Sequence, residues 1–223
     1  MALVTFKSLC VDANDVSAMS GFWSRALHLP VEPLDGGEVV LRGADDSRSV
    51  WINLVPEARE VKNRVHLDLA ATSLDGFSGL EQVTATGEFP WTTFLDPEGN
   101  QFCVFVYDDR EPGFKDVVID SADAPTIAAW WADVWGGTLV HDDGYSYIDD
   151  VPGAPFDSFD YVPVPEPKTV KNRFHWDVDL VDGATVDDLV AKEATILAPP
   201  TDQARWTVMA DPEGNEFCVF EPR

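Results

Sequence analysis

Two histidines in this chain each stand two residues ahead of an aspartate, inside segments that repeat one another. His66 and Asp68 fall in Val61-Lys62-Asn63-Arg64-Val65-His66-Leu67-Asp68, and His175 and Asp177 in Val170-Lys171-Asn172-Arg173-Phe174-His175-Trp176-Asp177, 109 positions later. Side chains alternate between faces along a strand, so Arg64, His66 and Asp68 share one side with Val65, Leu67 and Leu69 opposite. Arg173, His175, Asp177 and Asp179 follow the same rule. An imidazole beside a carboxylate can do general acid-base work, because the carboxylate fixes the tautomer and is expected to raise the imidazole pKa. The same groups can equally form a structural ion pair with Arg64. His66, Asp68, His175 and Asp177 are the candidate catalytic residues.

A second phrase repeats in the same order. Trp91-Thr92-Thr93-Phe94-Leu95-Asp96-Pro97-Glu98-Gly99-Asn100-Gln101-Phe102-Cys103-Val104-Phe105 is matched 115 positions on by Trp206-Thr207-Val208-Met209-Ala210-Asp211-Pro212-Glu213-Gly214-Asn215-Glu216-Phe217-Cys218-Val219-Phe220. Two phrases at nearly constant offset mean a duplicated domain of about 110 residues, too long a period for a solenoid. Cys103 and Cys218 lie in strands with no positive helix end nearby, and read as small core hydrophobes rather than nucleophiles.

The elements that must hold these residues follow from periodicity. Residues 3–11 form a strand, the cluster Asp12-Ala13-Asn14-Asp15 ends it, and Val16 to Leu27 is a helix with Met19, Phe22, Trp23 and Ala26 on one stripe. Strands at Glu38–Arg42 and Ser49–Val55 complete the unit. The order restarts with a strand at Arg64–Ala70, a short helix at about Leu74–Val83, and strands at Trp91–Leu95 and Gln101–Tyr107 joined by the turn Asp96 to Asn100. The second half repeats this with strand Phe114–Asp120, helix Pro125–Trp135, strands Tyr145–Ile148 and Ser158–Val162, the His175 strand, and a helix at Asp187–Ala194. Each half therefore holds two strand-helix-strands units, with domains at 1–110 and 113–223 and a linker at Asp108 to Pro112.

Composition narrows the partners. A net charge of −25 repels phosphate backbones and anionic membranes, so neither nucleic acid nor a membrane is an expected partner. Three scattered cysteines fit neither a disulfide framework nor a CxxC zinc site, and suit a reducing cytoplasm. The first residues lack the pattern of a signal peptide. A small molecule is the expected partner, for a monomer or homodimer.

Tandem strand-helix-strands units, with Asp-Pro-Glu-Gly-Asn before the last strand (Asp96 to Asn100, Asp211 to Asn215) and the Val11-Asp12 to Phe22-Trp23 strand-to-helix join, resemble the vicinal oxygen chelate superfamily, which includes glyoxalase, extradiol dioxygenases, fosfomycin resistance enzymes and bleomycin-binding proteins. The resemblance implies an α+β fold of four βαβββ units in two cup-shaped mixed β-sheets with helices packed outside. It also implies a divalent metal in each cup on four side chains, commonly His or Gln, Glu, His and Glu. Carried over residue by residue, the first position is Phe6 or Phe114, the second falls at 53–55 or 160–162, where only Asp160 is a carboxylate, the third is His66 or His175, and the fourth is Cys103 or Cys218. These are too few oxygen ligands for magnesium, manganese or calcium and too few donors for zinc. The expectation is no metal and no cofactor. Phe6, Trp91, Cys103, Phe114, Trp206 and Cys218 would then line cups that bind a small organic molecule, cationic or aromatic, as in the resistance and sequestration proteins. A lyase, isomerase or dioxygenase working through His66 or His175 is the alternative. Whether the first unit pairs with the second or with the fourth is left open by the sequence.

Overall fold

The computed structural model describes residues 2–34 and 36–222. The first unit is β1 (Val4–Ala13), α1 (Val16–Leu27), β2 (Val31–Pro33), β3 (Val39–Leu41) and β4 (Val50–Leu54). The second has β5 (Val65–Ala71), β6 (Trp91–Leu95) and β7 (Gln101–Val106). The third comprises β8 (Gly113–Ser121), α2 (Ala124–Trp135), β9 (Thr138–Asp142), β10 (Tyr145–Asp149) and β11 (Ser158–Pro163). The fourth is β12 (Phe174–Leu180), α3 (Val186–Ala191), β13 (Thr195–Ala198), β14 (Thr207–Ala210) and β15 (Glu216–Phe220).

The units pair across the halves. Sheet 1 runs β13-β14-β15-β12-β1-β4-β3-β2 and joins the first unit to the fourth, while sheet 2 runs β6-β7-β5-β8-β11-β10-β9 and joins the second to the third. Each seam is an antiparallel pair of unit-opening strands, β1 with β12 and β5 with β8. Each seam also carries one extra residue: the register passes from Phe6–Val178 to Ser8–Asp177, and from Leu69–Phe114 to Asp68–Asp116. The unpaired residues are Lys7 and Lys115. Such a bulge places two successive side chains on nearly the same side and reverses the alternation beyond it.

Helices α1 and α2 are packed between the two sheets, outside both cups. Trp23, fully buried, meets Phe102 of sheet 2 at 5.5 Å and Phe174 of sheet 1 at 5.7 Å, and Trp131 meets Trp176 at 5.2 Å and Phe217 at 5.0 Å. One aromatic core thus serves both sheets, and its edge-to-face pairs add to the area they bury. Capping follows the sequence: Asp15 accepts from Ala18 N, Asp123 from Thr126 N, and Thr185 with Asp188 forms a capping box.

The expected helix at 74–83 is a correction. A single 3-10 turn, Asp75–Phe77, forms there, followed by an isolated bridge from Gln82 to Phe94. Gly76 and Gly79 fall inside the segment, Gly79 at φ +92°, and two glycines cost a short helix about 2 kcal/mol of propensity.

The Asp-Pro-Glu-Gly-Asn turns do more than close hairpins. Asp96 accepts from the Glu98 and Asn100 amides at 2.9 Å, and Gly99 takes the left-handed conformation at φ +80°. Glu98 reaches back to the amides of Asn14 and Asp15 at 2.7 Å, and Glu213 does the same at Ser121 Oγ (2.8 Å) and Asp123 N (2.7 Å). Each turn therefore clamps the strand-to-helix corner of the other unit in its own half. Glu213→Ala strips a carboxylate from three donors, and the expected loss is about 1–3 kcal/mol in urea unfolding; an unchanged midpoint would show the clamp contributes nothing.

Candidate functional site

The face of each sheet turned away from the helices carries the polar residues read from the sequence. In cup 1 (sheet 1), Cys10 lies opposite His175 and Ser8 opposite Asp177 across the seam, with Cys218 of β15 beside Asp177. Asp177 accepts from Ser8 Oγ at 2.9 Å and from Cys10 Sγ at 3.4 Å. Burial pushes its carboxyl up, against the pull of His175 and these donors. At one end Lys7 pairs with Asp179 at 3.1 Å and lies 5.0 Å from the Phe220 ring, which stacks on Trp206.

Cup 2 (sheet 2) has the same plan and more charge. Asp68 stands opposite Asp116 across the seam, and Asp160 lies one strand further on β11. Ser158 donates to Asp116 (3.1 Å) or to Asp160 (2.6 Å). Lys115 is ion-paired to Asp116 and sits 4.5 Å from the Phe105 ring, which packs on Trp91, itself stacked on Phe89. Three carboxyl groups thus face one ammonium. Burial, then the neighbouring Asp116, push Asp68 up to about 8 and Asp160 up to about 7.

The expected raised imidazole is corrected at His66. Its Nε2 is 3.5 Å from Asp68 Oδ1, yet burial and then Lys62 lower its pKa to about 3. The partner carboxyl is itself held protonated near neutral pH, so it supplies no charge to stabilise an imidazolium. The contact is between two neutral groups, and neither His66 Nδ1 nor Asp68 Oδ1 has a hydrogen-bond partner.

His66, Asp68 and Cys103 come together in cup 2 and His175, Asp177 and Cys218 in cup 1, with Trp91 and Trp206 on the flanking walls. Phe6 and Phe114 do not join them. The bulges turn both to the helix side, where Phe6 packs on Phe156 at 5.0 Å and Phe114 lies against the core. Counting back from Val11 without the extra residue lands on the wrong face. Lys7-Ser8 and Lys115-Asp116 occupy the cup face instead, and their matching places in the two halves were the signal that could have found them.

The divalent ion implied by the resemblance can be tested on the donors. Cys10, His175 and Asp177 bring three possible ligand atoms within 4.8 Å of one another, as do His66, Asp68 and Cys103. Each set holds one carboxylate, one imidazole and one thiol, and burial pushes the Cys10, Cys103 and Cys218 thiols well up. Asp177 is already engaged by two donors and Asp116 by an ammonium. These residues do not fit the oxygen-rich site of a hard divalent cation.

A family model described as a glyoxalase-like domain matches residues 8–105 and again 116–220. The chain belongs to this glyoxalase-like family, and its tandem domains set it in the vicinal oxygen chelate superfamily. Among solved structures it is similar to glyoxalase I from Zea mays, at 11% identity and a TM-score of 0.70, over 98% of this chain and 92% of that one. It is also similar to a protein of Bacillus subtilis strain 168 (14% identity, TM-score 0.67, 99% of this chain and 86% of that one) and to the cppA protein of Streptococcus pneumoniae TIGR4 (11%, 0.55, 99% of each). At these identities the likeness is one of fold. No curated protein matches the sequence. No helix among the described residues is long and apolar enough to cross a membrane.

The raised carboxyls of cup 2 make stability depend on pH. A folded-state pKa above the unfolded one means the native chain holds its proton longer, so stability falls as pH rises until the folded pKa is passed. His66 works in the opposite sense between about 3 and 6.5, so within cup 2 the window from pH 6.5 to 8 belongs to Asp68 and Asp160. Unfolding free energy is expected to drop by about 1–2 kcal/mol across that window, and Asp68→Asn should flatten most of the drop. An equal slope in wild type and variant would contradict the protonated Asp68.

Proposed function

We propose that the protein binds a small organic cation with an aromatic part in cup 2, and does so without a resident metal. The observation that carries this reading is the crowding of Asp68, Asp116 and Asp160 around the single ammonium of Lys115. A ligand cation entering there takes the place of the protons that Asp68 and Asp160 hold, and the ion pairs formed give selectivity over neutral molecules of the same shape. Aromatic side chains flank the carboxyls: Trp91 and Phe105 on one side, and Tyr145 stacked on Tyr147, the cross-strand neighbour of Asp160, on the other. Such rings suit a flat or cationic group. Sequestration of such a molecule fits the donors better than catalysis through His66, because an imidazole that titrates near 3 is a feeble base at neutral pH.

Benzamidine and its neutral isostere benzamide test the reading by tryptophan fluorescence and calorimetry, alongside elemental analysis of the protein as purified. The expected result is saturable binding of benzamidine alone, weakened about tenfold or more by Asp68→Asn with Asp160→Asn. Equal binding of benzamide, or one equivalent of zinc or another divalent ion per cup, would overturn it.

A further inference from the structure

The two linkers that join units, residues 55–64 and 164–173, face each other and enclose a cavity of about 940 Å³. It is separate from the cup centres. In a chain of net charge −25 with only fifteen lysines and arginines, five of them line this space: Arg59, Lys62, Arg64, Lys171 and Arg173.

The lysines are already committed, Lys62 to Asp120 at 2.5 Å and Lys171 to Asp12. The arginines are not. Arg64 donates to the carbonyls of Glu166 (2.6 Å) and Asp120 (3.1 Å), and Arg173 to the Glu57 carbonyl (2.5 Å) and Asn14 Oδ1 (2.9 Å). Neutral oxygens hold these guanidinium groups in place; of the carboxylates that also line the space, Asp120 and Asp12 take the lysines, and Glu57, Glu60 and Glu166 form no ion pair with the arginines. Glu57 and Glu166 themselves are exposed.

Arg59 has a history written in the repeat. Its counterpart in the second half, Lys168, is paired with Glu216 at 2.7 Å. The position equivalent to Glu216 in the first half is Gln101, so Arg59 has no carboxylate in that place. Its Nε is buried without a hydrogen-bond partner, and its guanidinium lies against Gly99. Among the described residues, none of the ion pairs involves Arg59, Arg64 or Arg173.

We propose that this cavity binds a small organic anion bearing two or more carboxylate or phosphate groups, held between Arg64 of one linker and Arg173 of the other with Arg59 as a third contact. The near-symmetry of the linkers sets like charges on both sides, which suits a ligand with an anionic group at each end. Guanidinium groups meet carboxylate and phosphate oxygens in pairs, and bind them where a lysine would act only as a point charge.

Citrate, pyrophosphate and acetate are the probes, titrated by calorimetry into the intact chain at about 0.15 M salt, where surface attraction is screened beyond about 8 Å. Citrate or pyrophosphate is expected to bind saturably below about 1 mM, with acetate silent. Binding of citrate alone assigns a carboxylate ligand and of pyrophosphate alone a phosphate one. Arg59→Gln, which breaks no described hydrogen bond, should weaken binding about tenfold, and Arg64→Gln, checked for fold by circular dichroism, should do the same. Asp68→Asn in cup 2 should leave it unchanged, which separates this site from the cup. Absence of binding by both polyanions, or affinity unaltered in both arginine variants, would overturn the proposal.

Discussion

Everything in this fold hangs on two antiparallel strand pairs, β1 with β12 and β5 with β8. Neither pair joins two units of the same half, yet each forms the middle of a sheet and brings the polar faces of strands from both halves together. Asp177 meets Ser8 and Asp68 meets Asp116 only because these seams exist. The helices cannot compensate for a lost seam, since α1 and α2 are themselves wedged between the sheets by Trp23 and Trp131. Breaking one pair would expose the aromatic core and dismantle a cup in the same step.

The bulges set the chemistry of the cups. By adding one residue at each seam they turn Phe6 and Phe114 into the core and bring Lys7 and Lys115 onto the cup face. From that common plan the cups diverge. In cup 1, hydroxyl and thiol donors surround the buried carboxyl of Asp177, and the other buried carboxyl, Asp12, is paired with Lys171. In cup 2, Asp116 and Asp160 stand where the equivalent places in cup 1 are Ser8 and Trp51, and burial, reinforced by Coulomb repulsion from Asp116, pushes the Asp68 and Asp160 carboxyls up. The duplication has thus yielded one electrically quiet face and one strained by like charges.

Much of this was readable from the chain. Alternation placed His66 with Asp68 and His175 with Asp177, since period two is enforced by strand geometry, and the repeated Asp-Pro-Glu-Gly-Asn turns marked where hairpins close. What escaped the sequence depended on non-local geometry. The bulges leave no local signature, so plain alternation along the strand puts Phe6 on the cup when it faces the core. The pairing of units is a matter of which opening strands meet at the seams, β1 with β12 and β5 with β8, and neither phrase carries it. The direction of the His66 shift follows from burial and then from the Lys62 ammonium, and neither is visible in the order of residues.

The strand order also makes the two sheets unequal in how they come into being. Sheet 2 is drawn from one continuous stretch, residues 65–163, whereas sheet 1 is assembled from the two segments that flank it. As the chain leaves the ribosome the inner sheet can close on itself early, while β1 waits for a partner more than 160 residues downstream, a long loop to close and a slow class of contact. Until β12 is made, β1 offers an unpaired edge of ten residues, and a second nascent chain can supply the missing strand as well as its own. Two molecules that traded their fourth units in this way would rebuild the β1–β12 seam of each without a single new contact.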